Sequence, residues 1–341
     1  MCFYQKIIMN SKNDSICFSH MEDPDGVISG ALIKQAFNSK INLVNYQNFL
    51  NELKKIEKNE YIKELIICDL ELKYDNSADI LNIFKNLSTR DVSILFIDHH
   101  HIDSKIEQKL KEFDVKIINF EDECTSSLIY DNFSEKLKKN SLLLTACGCI
   151  TDNKENGSVG QKILKKNDMM FFYLNSSLLW FYIKNNQHNL KKLLELVDHF
   201  NDNHYPLEID NIFAEAKSFS TELSNSIDKI YQKINFFRNF GSMEIFDGKL
   251  EFTAEKILSL SQKNIALVYR KFSKNSANEL IILSNNLCTK NIGQITNELA
   301  SKHNGSGGGD PKKSAAIIPN ENFKNFLDDI DLSFDISENS S

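Results

Sequence analysis

At 341 residues the chain is long enough for about two domains. With 41% hydrophobic and 26% charged residues it has the composition of a globular protein, not of a disordered or membrane-embedded one. The formal net charge is −7, from 40 basic and 47 acidic residues, and only Arg90, Arg238 and Arg270 are arginine, so long-range capture of duplex nucleic acid is disfavoured. Seven cysteines without a Cys-x-x-Cys pair, no apolar run approaching the roughly 18 residues of a membrane span, and no signal-peptide pattern point to a reduced, cytoplasmic protein with no membrane association.

Taken in chain order, residues 15–19 read as a short buried strand, 20–26 as a loop and 27–37 as a helix. Strand 41–46, helix 49–58, strand 64–70, helix 77–87, strand 93–98, helix 102–113 and strand 115–120 follow. This alternation predicts a mostly parallel five-stranded sheet flanked by helices. From 125 to about 200 the strand signal disappears; 142–150 is short and apolar, with a helix favoured by its surroundings. Pro206 breaks the chain, and 209–240 reads as one or two long helices. Short strands are then predicted at 242–246, 250–253, 266–272 and 279–284, and a helix at 292–302. The expected organisation is an α/β domain over 1–185, a helical connector over 186–240, a smaller α+β domain over 241–320 and an acidic Ser/Asn-rich tail over 321–341, its last residues disordered.

The chemistry sits where predicted strands end. The run 93–97 stops on Asp98-His99-His100, poor packing chemistry but a good ligand set for Mn²⁺, Mg²⁺ or Zn²⁺. Asp69 ends the apolar run Ile67-Cys68, and an acid there is rarely buried unless it is paired or ligating. The first strand runs into Ser19-His20-Met21-Glu22-Asp23-Pro24-Asp25-Gly26, where Asp23 and Asp25 can face neighbouring ions; an ordinary Asp-rich turn with a helix cap is the alternative. Asp152 lies in Gly148-Cys149-Ile150-Thr151-Asp152-Asn153, which taken alone reads as a helix-terminal turn. Jointly, these acids gather at one edge of one sheet, the carboxyl ends of parallel strands where ligands bind. Their mutual repulsion calls for bound cations. His101 extends the histidine run and reads as solvated.

The order of these segments resembles the DHH phosphoesterase superfamily. His20, Asp23 and Asp25 are similar to its first motif, in the variant with two residues between the histidine and the first aspartate. Asp69 matches the second motif, Asp98-His99-His100 the third and Asp152 the fourth. Residues 124–130, Cys-Thr-Ser-Ser-Leu-Ile-Tyr, resemble the helix start that follows the third motif, and Gly305-Ser306-Gly307-Gly308-Gly309 resembles the DHHA1 substrate-binding domain. The resemblance implies one ion held by His20, Asp23 and Asp69 and a second by Asp25, Asp69, His99 and Asp152, with Asp69 bridging. Mn²⁺ is the implied metal, with Mg²⁺ or Co²⁺ as substitutes. Asp98 would orient an imidazole, and His100 would contact the scissile phosphate or protonate the leaving oxygen.

The implied activity is two-metal hydrolysis of phosphodiester or phosphomonoester bonds in short single-stranded oligonucleotides or small nucleotides, like that of RecJ-type exonucleases and nanoRNases, with two lobes around a cleft and a homodimer admitted. The alternatives are a pyrophosphatase or polyphosphatase, and a non-catalytic nucleic-acid-binding accessory protein that keeps the fold. Gly307, Gly308 and Gly309 read as a backbone nest for phosphate, with Arg270 and Lys312 as further substrate contacts. The chain departs from the family after the glycines, where Asp310 replaces the usual histidine.

Overall fold

A computed structural model describes residues 14–72, 74–165, 168–246, 250–272 and 276–334. It divides into two compact units, 1–220 and 221–341. In the first, five strands alternate with helices: β1 (Ser15–His20), α1 (Pro24–Phe37), β2 (Lys40–Val44), α2 (Phe49–Glu57), β3 (Glu64–Cys68), α3 (Tyr74–Ser88), β4 (Ser93–Asp98), α4 (Ser104–Glu112) and β5 (Lys116–Asn119). All the strands pair parallel, in the order β2-β1-β3-β4-β5. The register sets Ser19 beside Cys68, Cys68 beside Ile97 and Asp98 beside Asn119, so the carboxyl ends of β1, β3 and β4 lie side by side. The order turns back between β1 and β3, the switch point at which such sheets bind ligands.

Both sheet faces are covered, which is why the strands read as unbroken apolar runs. Ile16, Phe18, Leu65, Ile67, Ile94 and Phe96 pack with α2, α3 and α4 on one face. Cys17, Ile66, Cys68, Leu95 and Ile97 pack on the other with an all-helical layer of α1 and α5 (Thr125–Phe133), α6 (Ser141–Thr151), α7 (Ser158–Leu164), α8 (Met169–Asn186) and α9 (Leu190–Asn201). The segment 142–150 is thus helical, as its surroundings predict. Leu193, Leu196, Val197 and Phe200 of α9 join this core, so that part of the expected connector belongs to the first unit. Helix α1 begins at Pro24, earlier than its apolar spacing indicated, because Asp23 caps it and Pro24 opens its first turn.

The units divide within α10 (Ile212–Lys233). The second unit has a mixed six-stranded sheet, ordered β10-β11-β9-β8-β7-β6, from β6 (Asn235–Phe236), β7 (Phe240–Glu244), β8 (Ile265–Phe272), β9 (Ala277–Ser284), β10 (Ser306–Gly309) and β11 (Lys313–Pro319). Its helices are α11 (Leu250–Leu260), α12 (Ile292–Lys302) and α13 (Asn320–Ser333). Four sequence expectations are corrected here. The long helix stops at Lys233, because Asn235 and Phe236 pair with Ser242 and Gly241 around a turn whose Arg238 and Asn239 N–H groups donate to the distant Asp331. The strand expected at 250–253 is the start of α11, whose buried Leu250, Ala254 and Ile257 have helical spacing. Gly307, Gly308 and Gly309 form no nest: they lie in edge strand β10, paired antiparallel with β11. Residues 321–333, read as part of a tail, lie in α13, with Phe323, Phe326, Leu327 and Ile330 in the core; 335–341 lie outside the described residues.

Cys17, Cys68, Cys124, Cys147, Cys149 and Cys288 are buried free thiols. Among the described residues, no helix is long and apolar enough to cross a membrane. Phe326 is wholly buried, so Phe326→Ala should destabilise the second unit by about 3–5 kcal/mol in urea unfolding. A loss below about 0.5 kcal/mol, the scale of a surface substitution, would show that α13 does not hold the core.

Candidate metal centre

His20 closes β1, and Asp23, three residues on, caps α1 by accepting the Gly26 N–H at 2.9 Å. Gly26 is needed there because a Cβ would lie 2.4 Å from the His20 carbonyl oxygen. His20 Nδ1 is 2.9 Å from Asp23 Oδ2 and 3.7 Å from Asp69 Oδ2. Asp69 leaves β3 in the left-handed conformation, at φ 57°, a strained geometry that aspartate tolerates better than most residues. Its other oxygen, Oδ1, faces His99 Nε2 at 3.4 Å, and the same nitrogen lies 3.3 Å from Asp152 Oδ2, at the end of α6.

The residues expected to be ligands therefore gather as His20–Asp23–Asp69 and Asp25–His99–Asp152, with a third group of Asp69, Asp98, His99 and His100. Within each group the ligand atoms lie within 4.8 Å of one another. At that separation two carboxylates repel by roughly 3–4 kcal/mol at an effective dielectric of about 20. The donor set fits a hard or borderline divalent cation. His20 Nε2, Asp98 Oδ2 and Asp152 Oδ2 are buried without a hydrogen-bond partner, as atoms awaiting a ligand would be.

Protonation follows from this crowding. Burial pushes the Asp25 carboxyl up to about 6, with the Asp69 charge adding to the rise and the His99 charge and Ser126 hydroxyl opposing it. Burial, then the Asp25 and Asp69 charges, push Asp152 up to about 8, although His99 opposes. Burial works against ionised Asp69 as well, but the neighbouring His20 and His99 outweigh it and hold that carboxyl below the usual range. Burial disfavours a charged His99, yet the neighbouring Asp69 and the charges of Asp152 and Asp25 raise it to about 9. His20 is raised likewise against burial, chiefly by Asp23.

Asp98 is an organiser. Its Oδ1 accepts the His99 N–H at 2.8 Å and the His100 N–H at 3.3 Å, and lies 2.8 Å from His100 Nδ1. Asn119 Nδ2 donates to the carbonyls of Asp98 and His100, at 2.7 and 2.8 Å. His101 stays exposed, beside Glu121. In the second unit Arg270 Nε donates to Glu279 at 2.8 Å, and Lys312 Nζ donates to the carbonyls of Asn285 and Cys288.

The sequence reading missed Tyr46, Thr125 and Ser126 as site residues. The Tyr46 ring is centred 5.1 Å from that of His20, and its hydroxyl accepts the Glu71 N–H at 3.4 Å. Its position just past β2, at the same sheet edge, was an available signal. Asp25 is held by the start of α5: Oδ2 accepts the Thr125 N–H at 2.8 Å, and Oδ1 accepts the Ser126 N–H at 3.0 Å together with the Ser126 hydroxyl. The Thr125 hydroxyl donates to Asp69 Oδ1 at 3.2 Å. Helix α6 packs so closely here that a Cβ on Gly148 would lie 2.1 Å from Ser126 Oγ and 2.8 Å from Asp25 Oδ1.

The architecture has solved counterparts. A pGpG-specific phosphodiesterase, PggH from Vibrio cholerae, matches 94% of this chain and 98% of its own length with a TM-score of 0.59 at 13% identity. The DHH domain of a member of a family of ribosomal proteins matches 94% of this chain and 87% of its own with a TM-score of 0.66 at 12% identity. The chain has the DHH fold. No protein-family model and no curated relative matches it by sequence.

Gly148→Ala should weaken divalent-cation binding through Ser126 and Asp25, measured by Mn²⁺ titration. The same geometry sets the pH dependence of stability. In metal-free protein, the stability contributed by Asp25 and Asp152 is complete in acid and lost as pH rises toward about 6 and about 8, respectively. That from His99 is complete below 6.5 and lost as pH rises through about 9. Asp69 acts in the opposite sense, but its contribution is already complete above 3.8. Urea midpoints in chelator should therefore fall from mildly acidic to mildly alkaline pH, and a rise would contradict this charge arrangement.

Proposed function

We propose that the chain is a divalent-cation-dependent phosphoesterase that hydrolyses phosphodiester or phosphomonoester bonds of short single-stranded oligonucleotides or small nucleotides. The observation that carries this reading is that Asp69 links two ligand groups: it belongs to the one with His20 and Asp23, its Oδ2 facing His20, and its Oδ1 faces His99 Nε2 of the Asp25–His99–Asp152 group at 3.4 Å. His20, Asp23 and Asp69 would hold one Mn²⁺, and Asp25, Asp69, His99 and Asp152 a second. Such a pair, when bound, stabilises the entering and leaving oxygens of an in-line displacement.

The chain's own groups supply the rest. Asp98 binds Nδ1 of His100, which leaves Nε2 for a phosphate or leaving oxygen. Burial opposes the charged form of His100, but its hydrogen bond to Asp98 and the Asp98 charge raise it, so the ring is suited to donating a proton. The net charge of −7 favours substrates with few phosphates over long duplexes. The fold likeness to a phosphodiesterase specific for pGpG supports the same size class.

The test is hydrolysis of bis-p-nitrophenyl phosphate and of end-labelled RNA and DNA two to ten nucleotides long, with pyrophosphate in parallel. Mn²⁺ should support turnover and chelator should abolish it. Asp69→Ala should lower the rate by more than about 100-fold, since loss of outer partners alone costs 10–100-fold. Activity surviving that substitution would exclude this site. Oligonucleotide binding without hydrolysis of any phosphoester would make the chain a binding protein, and turnover of pyrophosphate alone would reassign the substrate.

A further inference from the structure

Thr125 opens α5, and it touches two carboxylates that reach the site from separate elements. Its N–H donates to Asp25 Oδ2 at 2.8 Å and its hydroxyl to Asp69 Oδ1 at 3.2 Å. Thr125 is fully buried, and Asp25 and Asp69 are 1% and 2% exposed. Helix capping accounts for part of this: the first N–H groups of α5 lack helical acceptors, and Asp25 serves as their cap. Capping does not account for the hydroxyl. It is not needed to complete the helix, yet it meets the Asp69 oxygen that also faces His99 Nε2 at 3.4 Å.

The hydroxyl therefore constrains how Asp69 is shared. With Oδ1 held by Thr125 and turned to His99, Oδ2 is the oxygen that faces His20, at 3.7 Å. A carboxylate free to rotate about its Cβ–Cγ bond would not keep one oxygen for each ligand group. The left-handed backbone of Asp69 fixes where the side chain starts; Thr125 fixes how its plane is turned.

We propose that Thr125 is a positioning residue whose hydroxyl assigns the two Asp69 oxygens to the two ligand groups, and so sets the cation affinity of the centre. This rests on the metal-centre reading above. Outer-shell donors of this kind shift metal affinity by about 10–100-fold when removed.

The experiment is a Mn²⁺ titration of the full chain, followed by the paramagnetic resonance signal of free Mn²⁺, with urea unfolding as the control for folding. Thr125→Val keeps the shape and removes the donor; it should bind Mn²⁺ about 10–100-fold more weakly. Thr125→Ser keeps the donor and should bind nearly as the parent does. Equal affinity of Thr125→Val and the parent would overturn the proposal, as would a Thr125→Ser variant as weak as Thr125→Val. If the valine variant does not fold, Thr125→Ala and Thr125→Ser differ by the hydroxyl alone, and equal binding by those two overturns it. Failure of the parent chain itself to bind Mn²⁺ would sink the metal-centre reading, an outcome distinct from the loss of Thr125's role.

Discussion

Asp69 is the point on which the rest of the first unit depends. Its carboxylate is almost wholly out of water, at the end of a central strand in a parallel sheet, with other acids within a few ångströms. A lone carboxylate in that position would be protonated or would unfold its surroundings. Here it stays ionised because His20 and His99 each face one of its oxygens and the Thr125 hydroxyl donates to it. Asp25 and Asp152 are pushed the other way by burial and by the neighbouring carboxylate charges, which His99 only partly offsets. The site thus keeps one firmly ionised carboxylate at its centre and crowded acids around it, an arrangement that a divalent cation would complete.

The fold serves this arrangement by close packing on one face of the sheet. Helix α1 starts against the His20 carbonyl because Gly26 has no side chain, and α6 approaches α5 and Asp25 because Gly148 has none. These contacts bring the N-terminus of α5 to Asp25, where its unsatisfied N–H groups meet a buried acid. Asn119 and Asp98 brace the histidine-bearing loop, from β5 and from the end of β4. Polar groups inside the layer are joined into networks, and a change in one is felt by its neighbours.

The second unit is organised differently. Its mixed sheet is closed at one edge by a glycine strand, and α13 fills one face with phenylalanine. The likeness to DHH-fold structures at 12–13% identity shows how little sequence this architecture demands. Apolar strand residues are interchangeable so long as both faces are covered.

The parallel sheet, the helical layer after residue 125 and the acid- and histidine-bearing strand ends were legible in the sequence. Strand and helix periodicity are local, and Asp or His at the end of an apolar run stands out against packing chemistry. Other features were not legible because their causes lie far along the chain. The turn before β7 is held by Asp331, more than ninety residues away. The glycines at 307–309 become a strand because β11 offers a partner, not because of their composition. Residues 321–333 look like part of an acidic tail, yet form a core helix once a sheet face needs covering. Likewise, sequence alone singled out the acids and histidines that gather at the sheet edge. Only tertiary structure decided that Thr125 and Ser126 hold Asp25 and Asp69, because hydrogen bonds between groups about 55 and 100 positions apart leave no periodic trace in the chain.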